Sequence, residues 1–330
     1  MAVVLGAGTW GMALVKVLYD NKHSITVWSH SEKEIEYVKN NHHIKNLPLL
    51  DIPDTIKFEL DMGKAMKGQD LVVIAVSSPY VREVSELMAS RIEDNAIIAI
   101  VAKGIETDNL LYMSEVVEDV LKSHGKKNEV VALSGPTHAE EVSRGMPTTI
   151  VSASKNIEAA KKIQNYFMNE NFRVYTNDDI LGVEFCGAFK NIYALICGIS
   201  TGLGFGDNSK AAILTRGLAE MIRLGEKIGY KRETFYGLAG IGDLIVTGMS
   251  IHSRNNKCGR LIGEGHSVSD AIEETGMVVE GINCLPAAMK LKNKYQVDMP
   301  LLETLYGIIF ENKSPKDALW SLMMRNKKSE

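Results

Sequence analysis

The stretch VVLGAGTWGMAL, residues 3 to 14, decides the fold, because it joins an apolar segment to a helical pattern through three glycines. Gly6, Gly8 and Gly11 follow the apolar residues 2 to 5 in the spacing G-x-G-x-x-G. In this pattern the first glycine permits a tight turn, the second lets the backbone approach a pyrophosphate, and the third lets the helix lie close to the sheet. The free amides at the helix start favour the phosphates. The stretch therefore predicts a dinucleotide-binding strand, turn and helix.

The second predicted strand, Ser24 to Trp28, ends without the acidic residue that usually binds the adenosine ribose about 20 residues after the glycines. Ser29 and His30 follow the strand instead, and together with Lys33 they could hydrogen-bond a 2′-phosphate. The sequence therefore favours NADP over NAD as the cofactor. In the alternative interpretation, Glu32 or a backbone group binds the ribose and the cofactor is NAD.

Composition indicates an ordinary globular protein. The 330 residues are enough for two domains, and 45% are hydrophobic and 24% charged. The net charge of −4 gives no electrostatic reason to bind nucleic acid or an anionic membrane. The sequence has no apolar leader and no uninterrupted apolar run of membrane-spanning length. We therefore expect a cytoplasmic protein with no nucleic-acid partner and no integral membrane segment.

Cysteine and histidine spacing predicts neither disulfides nor a metal site. The four cysteines show no C-x-x-C spacing, so we expect reduced thiols, most of them buried. The close pair His42 and His43 lies in a polar stretch without Cys, Asp or Glu at ligand spacing, so we expect no metal there.

Continuous apolar runs alternate with helical patterns in the first half of the chain, as in parallel sheets whose strands are buried on both faces. The predicted strands of this kind are Leu71 to Ser77, Ala96 to Ala102 and Val130 to Ser134, and two further short strands, Thr148 to Ser152 and Phe172 to Thr176, would extend the sheet. The predicted helices between them are Tyr80 to Arg91, Asn109 to Ser123 and Ile157 to Met168. This alternation predicts an α/β fold with a Rossmann-type doubly wound sheet over residues 1–177.

The second half shows long apolar helical runs without strand signals. Its predicted helices are Asp179 to Gly202, Ser209 to Gly229, Ser267 to Glu274, Cys284 to Tyr295 and Met299 to Phe310. We therefore predict an all-helical substrate-binding domain over residues 178–330.

Lys190 lies inside the apolar helical stretch GVEFCGAFKNIYALICGIS. An unpaired buried ammonium costs several kcal/mol and responds by losing its proton. If Lys190 faces a cleft between the two domains, desolvation lowers its pKa towards neutrality and makes it a general base. In the alternative interpretations, the lysine reaches solvent or pairs with a carboxylate such as Glu184.

Polar residues follow two of the predicted strands, where α/β folds place their ligands. Lys103 follows the strand that ends at residue 102, and Gly135, Thr137 and His138 follow the strand that ends at residue 134. Each of these two groups of residues could simply form a turn, but their shared position at the edge of the sheet where ligands are expected favours a binding site.

Two further candidates lie in the second half. Asp243 ends the glycine-rich turn GLAGIGD, and Ser253, Arg254 and Asn255 precede a probable helix. An arginine beside hydroxyl and amide groups suits a phosphate or carboxylate ligand. The alternative for Arg254 is a surface salt bridge.

Several stretches together resemble the bacterial type of NAD(P)-dependent glycerol-3-phosphate dehydrogenase across essentially the whole chain. They are AVVLGAGTWGMAL, VAKGIE, SGPTHAEEV, GAFKNIYALICG, GFGDNSKAAILTRGLAEM, GLAGIGDLIVT, HSRN, VVEG and VDMPLLETLY. The resemblance implies reversible reduction of dihydroxyacetone phosphate to sn-glycerol 3-phosphate, the precursor of glycerophospholipids, by an enzyme that commonly dimerises. One departure is His138, where relatives commonly have Phe.

The resemblance also implies roles for individual residues. Lys190 matches the proton-transfer lysine of the family. The positions matching substrate-binding residues are Lys103, Gly135, Thr137, Lys190, Asp243, Ser253, Arg254 and Asn255. The positions matching cofactor-binding residues are Gly6, Gly8, Thr9, Trp10, Gly11, His30, Lys103, Ala139, Arg254, Val279 and Glu280. Lys103 thus contacts both ligands.

Two other functions remain open from the residues alone. A β-hydroxyacid dehydrogenase also pairs a Rossmann domain with a helical domain, and a carboxylate would then occupy the place of the phosphate. A non-catalytic dinucleotide sensor would need no lysine among apolar residues. Within the dehydrogenase interpretation, His138 is a rival proton donor, because the pKa of histidine lies near neutrality.

Overall fold

The computed structural model describes residues 1–327 and 329. The chain divides into two compact units, the first formed by residues 1–103 and 111–184 and the second by residues 104–110 and 185 onwards. The division into folding domains at residues 177 and 178 stays a prediction.

The first unit is built on one eight-stranded sheet. The strands are β1 (Ala2–Leu5), β2 (Ile25–Trp28), β3 (Lys57–Glu59), β4 (Leu71–Ile74), β5 (Ile97–Ile100), β6 (Val130–Ser134), β7 (Thr148–Ala153) and β8 (Phe172–Asn177). Their order across the sheet is β3-β2-β1-β4-β5-β6-β7-β8, and only the pair β6 and β7 is antiparallel. The order of the first six strands is that of dinucleotide-binding sheets, which confirms the predicted Rossmann-type fold.

Seven α-helices connect these strands. They are α1 (Thr9–Asp20), α2 (Glu32–Asn41), α3 (Met62–Met66), α4 (Val81–Ala89), α5 (Met113–Ser123), α6 (Ala139–Val142) and α7 (Ile157–Phe167). All residues of β1, β4 and β5 are buried, because their apolar side chains face helices on both sides of the sheet. The sheet core therefore forms a rigid support for the loops at its carboxyl edge.

The helix predicted from Asn109 begins at Met113, four residues later than expected. Leu110 has a left-handed backbone with φ of 57°, which interrupts a right-handed helix. The backbone amide of Tyr112 donates to the Glu115 carboxylate at 2.9 Å, which stabilises the later helix start.

The described residues of the second unit contain helices and no strands, as predicted. The helices are α8 (Ile180–Gly202, which starts in the first unit), α9 (Asp207–Ile228), α10 (Arg232–Tyr236), α11 (Asp243–Met249), α12 (Arg254–Gly263), α13 (Val268–Thr275), α14 (Glu280–Tyr295), α15 (Pro300–Phe310) and α16 (Pro315–Met323). A π-helical turn, Leu238–Gly242, leads into α11. Helix α8 is long and apolar enough to span a membrane, but 94% of its most apolar window is buried inside the protein, as in a core helix.

Helices α8 and α12 pack backbone against backbone through two pairs of glycines. A Cβ at Gly198 would lie 2.1 Å from the Asn256 carbonyl oxygen, and one at Gly259 would lie 2.1 Å from the Leu195 carbonyl oxygen. Gly202 and Gly263 extend the same contact one turn further. Because only glycine fits at these points, the contact fixes α12, which carries Arg254 and Asn255, against α8, which carries Lys190.

Candidate active site

The glycine turn has the geometry expected of a dinucleotide site. Gly6 has φ of +116°, and a Cβ at Gly11 would lie 2.4 Å from the Gly6 carbonyl oxygen, so α1 lies close to the turn. A Cβ at Gly8 would have no heavy atom within 4 Å, which leaves open space beside the backbone. Helix α1 has no acidic residue in its first turn, so its amides stay favourable for anions. The residues present therefore fit the pyrophosphate of a dinucleotide.

Thr9 and Trp10, at the start of α1 after the glycine turn, are partly buried. The side-chain amide of Asn46 donates to Thr9 Oγ1 at 3.4 Å. Trp10 packs against the core of the sheet, and Ala139, the first residue of α6, is buried in the same core. These contacts hold the start of α1 in place beside the carboxyl edge of β1.

A carboxylate lies at the end of β2 after all. The Gly6 amide donates to the Trp28 carbonyl oxygen at 2.9 Å, which joins the glycine turn to this strand end. The buried Ser29 hydroxyl donates to Glu34 Oε2 at 2.8 Å, and His30 is exposed. The sequence argument for NADP assumed that no acidic residue reaches this position. That assumption is wrong, because the first turn of α2 brings Glu34 back to the strand.

The residues predicted after β5 and β6 come together. Lys103 Nζ donates to the Gly135 carbonyl oxygen at 3.3 Å, and Thr137 Oγ1 donates to the same oxygen at 3.1 Å. Lys103 and Thr137 are partly exposed, while Gly135 is buried, and a Cβ there would be tightly packed at 3.1 Å from the Ile150 Cα. His138 precedes α6 as its N-terminal cap residue. An ammonium and a hydroxyl are thus anchored at the carboxyl edge of the sheet.

Lys190 is buried in the second unit and is paired. The residue is 6% exposed, and its ammonium donates to Asp243 Oδ1 and, at 2.8 Å, to Thr247 Oγ1. Thr247 Oγ1 also donates to Asp243 Oδ1 at 3.2 Å, which closes a three-membered hydrogen-bond network. The alternative in which Lys190 pairs with a carboxylate is therefore confirmed, but the partner is Asp243 and not Glu184, whose carboxylate accepts from Ser114.

The π-helical turn before α11 explains why Asp243 reaches Lys190. A Cβ at Gly240 would lie 2.2 Å from the Phe235 carbonyl oxygen, so this turn can only be built with glycine. Asp243 begins α11 and is fully buried, and Thr247 follows one helical turn later on the same face. The glycine-rich sequence thus serves to place a carboxylate beside the lysine.

A chain of amides joins the starts of α12 and α14. Asn255 Nδ2 donates to Asn191 Oδ1 at 2.9 Å, and Asn255 Oδ1 accepts from the Gly281 amide at 2.9 Å. Gly281 lies directly after Val279 and Glu280, which are the cap residue and the first residue of α14. Through these hydrogen bonds Asn255 is held beside α8, the helix that carries Lys190.

Arg254 is the first residue of α12 and is exposed. The described part of the chain supplies it with no ion-pair partner, so the surface salt bridge considered from the sequence is not formed. The Ser253 hydroxyl caps the helix by accepting from the Asn256 amide at 3.2 Å. A free guanidinium at a helix start is available to bind an anion.

Next to the lysine, a second buried carboxylate joins three helices. The Tyr193 hydroxyl, one turn along α8 from Lys190, donates to Glu220 Oε2 at 3.2 Å. The amide of Leu301 at the start of α15 donates to Glu220 Oε1 at 2.8 Å. Burial raises the pKa of Glu220 to about 7, against the opposing effect of these hydrogen bonds. Glu220 therefore ties α8 and α15 to α9.

Sequence reasoning missed Thr247, Asn191 and Glu34 as members of these clusters. Thr247 could have been found by its spacing, because a residue four positions after Asp243 on a helix shares its face. Asn191 follows Lys190 directly, but its contact with Asn255 depends on packing between helices. For Glu34 the S-x-x-E spacing after Ser31 indicates a helix start, but only the local geometry turns its side chain towards Ser29.

A Rossmann-type sheet with its glycine turn, followed by a helical unit that buries a lysine beside a carboxylate, defines a nicotinamide-dependent oxidoreductase. Sequence models of known protein families identify the kind of oxidoreductase. The N-terminal model of NAD-dependent glycerol-3-phosphate dehydrogenase matches residues 1–160, and the C-terminal model matches residues 179–320. The chain belongs to the NAD-dependent glycerol-3-phosphate dehydrogenase family.

Individual relatives cover nearly the whole chain. A glycerol-3-phosphate dehydrogenase [NAD(P)+] 2 of Lactobacillus delbrueckii subsp. bulgaricus is 51% identical over 329 residues, 99% of this chain and 98% of the relative. A glycerol-3-phosphate dehydrogenase [NAD(P)+] of Bacillus pumilus is 48% identical over 99% of this chain and 95% of its own. The crystal structure of a glycerol-3-phosphate dehydrogenase from Coxiella burnetii has a TM-score of 0.93 at 35% identity and covers 98% of both chains. This agreement confirms the resemblance inferred from the motifs.

Proposed function

We propose that the chain catalyses the reversible reduction of dihydroxyacetone phosphate to sn-glycerol 3-phosphate with NAD(H) or NADP(H), and so supplies the precursor of glycerophospholipids. The observation that carries the proposal is the buried Lys190 ammonium, held by Asp243 and Thr247, in a chain of this family. A lysine fixed in this way can release and recover a proton at one defined point.

A nicotinamide dinucleotide held at the glycine turn of Gly6, Gly8 and Gly11 would supply the hydride for substrate C2 in the reduction and would accept it in the reverse direction. Lys190 donates the proton that the carbonyl oxygen needs as it becomes a hydroxyl, and it accepts that proton back during oxidation. Asp243 and Thr247 each accept a hydrogen bond from the ammonium, so together they fix its orientation, and the Asp243 carboxylate offsets its charge. The protein therefore needs only one titrating group for the chemical step.

Separate residues bind the rest of the substrate. The exposed Arg254, with the capping Ser253 and the Asn255 amide, binds the phosphate at the start of α12. Lys103 and Thr137, anchored on Gly135, bind the oxygen atoms of the substrate from the edge of the sheet. These assignments leave His138 without a role in proton transfer.

The cofactor is assigned to the residues that the resemblance indicated. They are Gly6, Gly8, Thr9, Trp10, Gly11, His30, Lys103, Ala139, Arg254, Val279 and Glu280. The open space at Gly8 and the uncapped start of α1 support the pyrophosphate part of this assignment.

The protein acts as a cytoplasmic homodimer in this proposal, as members of the family commonly do. Light scattering coupled to size-exclusion chromatography is expected to give twice the 36.4 kDa mass of one chain. A single-chain mass at micromolar concentration would contradict the dimer.

The activity is tested by following nicotinamide absorbance with dihydroxyacetone phosphate and either NADH or NADPH. We expect oxidation of the reduced cofactor, and its formation in reverse from sn-glycerol 3-phosphate. Hydroxyisobutyrate-type acids serve as the comparison. Turnover of those acids alone would support a β-hydroxyacid dehydrogenase, and the absence of any hydride transfer would support a dinucleotide sensor.

A further inference from the structure

The end of β2 holds a carboxylate whose position is set by the start of α2. Ser31 caps α2 by accepting from the Glu34 amide at 3.3 Å, and the sequence from Ser31 to Glu34 has the S-x-x-E spacing of a capping box. In a capping box the glutamate would accept from the amide of Ser31. Here Ser29 Oγ accepts from that amide at 3.1 Å and donates to Glu34 Oε2. The carboxylate is thus freed from capping and held against the strand end.

The charge of Glu34 is uncompensated. Within the described chain no lysine, arginine or histidine forms an ion pair with Glu34, although His30 and Lys33 lie nearby in the sequence. Ser29 is 2% exposed, so one partner of the carboxylate is rigidly placed in the protein interior. The strand end therefore carries an acidic side chain that no basic side chain of the described residues neutralises.

This strand end adjoins the glycine turn, because the Gly6 amide donates to the Trp28 carbonyl oxygen at 2.9 Å. In Rossmann-type sheets the adenosine ribose of the cofactor lies here, and a carboxylate accepts from its 2′-hydroxyl. The 2′-phosphate of NADP(H) would instead bring two negative charges towards the Glu34 carboxylate, and like charges repel each other.

We propose that Glu34 determines cofactor choice in this protein by excluding the 2′-phosphate, so that the protein uses NADH in preference to NADPH. The inference rests on the proposed function only in placing the dinucleotide at the glycine turn. It replaces the preference for NADP that the sequence alone indicated.

The test measures binding of NADH and NADPH to the purified protein by nicotinamide fluorescence, without substrate, for the wild type and Glu34→Gln. Glutamine keeps a hydrogen-bonding side chain for Ser29 but has no charge. We expect the wild type to bind NADH more tightly, and Glu34→Gln to tighten NADPH binding at least about tenfold while changing NADH binding little. The ratio of kcat/KM values for the two cofactors is expected to shift in the same direction.

Two matched variants on α2 separate this role from a general charge effect. Glu36→Gln removes an exposed carboxylate two residues further along the helix and is expected to leave the ratio of the Kd values unchanged. Glu32→Gln tests the other acidic residue at the helix start. Raised ionic strength is expected to narrow the gap between NADH and NADPH in the wild type but not in Glu34→Gln.

Three results would overturn the inference: tighter wild-type binding of NADPH than of NADH, an unchanged Kd ratio in Glu34→Gln, or an equal shift in Glu32→Gln or Glu36→Gln. The binding measurement is independent of the chemical step. If both cofactors bind with the expected selectivity but dihydroxyacetone phosphate is not reduced, the proposed function fails while the role of Glu34 stands.

Discussion

At the scale of single residues, the proposed mechanism assigns proton transfer and anion binding to different side chains. Lys190 is buried and hydrogen-bonded on two sides, whereas Arg254 is exposed and has no ion-pair partner in the described chain. A proton donor needs a fixed orientation, while a phosphate ligand needs an accessible charge. Removing Lys190 and removing Arg254 should therefore change different kinetic constants.

Replacing Lys190 with alanine should lower kcat for dihydroxyacetone phosphate by about 10²- to 10⁴-fold, because the carbonyl oxygen loses its general acid. Steady-state kinetics gives kcat, and nicotinamide fluorescence is expected to show unchanged cofactor binding. Lys227→Ala, on the exposed end of α9, is the matched control and should keep normal turnover. Near-normal kcat in Lys190→Ala would move proton transfer to another group, with His138 as the first candidate.

Replacing Arg254 with alanine should raise KM for dihydroxyacetone phosphate on the order of tenfold to a hundredfold, the usual loss for a charged hydrogen-bonding partner. The effect on kcat should be smaller, since the proton donor is intact. Arg260→Ala removes an exposed arginine from the same helix and should leave KM unchanged. An unchanged KM in Arg254→Ala would place the phosphate elsewhere.

At the scale of helices and strands, the contact between α8 and α12 determines how far the start of α12 lies from the lysine. Both helices present glycines where their backbones meet, and side chains carried on each helix form the Asn191–Asn255 hydrogen bond. A methyl group at the contact must push the helices apart, because its neighbours are backbone atoms that cannot rotate away.

Gly259→Ala should therefore lower the midpoint of thermal unfolding by several degrees and raise KM for dihydroxyacetone phosphate, since overpacking costs about 1–3 kcal/mol. Its kcat/KM should fall more for the phosphorylated ketone than for dihydroxyacetone, if α12 carries the phosphate site. Gly206→Ala is the control, because a Cβ there would meet no atom within 4 Å. Equal losses for both ketones would mean that the contact serves stability alone.

The strands β1, β4, β5 and β6 were predicted because each lies in a continuous apolar run, and β3 was missed because its three residues, Lys57–Glu59, are largely polar. Nothing in a run of residues tells its direction, so the antiparallel β7 could not be foreseen. Lys103 and Gly135 were predicted as site residues because the carboxyl ends of strands share one edge, and Gly6 was predicted from the glycine pattern. The contact between Ser29 and Glu34 was not predicted from the sequence, since it depends on which group caps α2.

At the scale of the whole molecule, one buried carboxylate should make stability depend on pH. Burial raises the pKa of Glu184 to about 8, although the hydroxyl and amide of Ser114 donate to it and oppose the shift. Nearby Glu115 and Glu118 raise it further. In the unfolded chain the same carboxyl loses its proton near its ordinary pKa of 4.5.

The folded protein therefore keeps a proton on Glu184 that the unfolded chain has lost, and the free energy of unfolding should fall as pH rises from about 4.5 to about 8. The contribution is on the order of a few kcal/mol. The side chain in Glu184→Gln does not titrate. Calorimetry should therefore show the unfolding midpoint of this variant rising relative to that of the wild type as pH increases from about 5 to about 8. Glu170→Gln removes an exposed carboxylate and controls for lost charge. Parallel curves for the wild type and Glu184→Gln would show that Glu184 is already ionised in the fold.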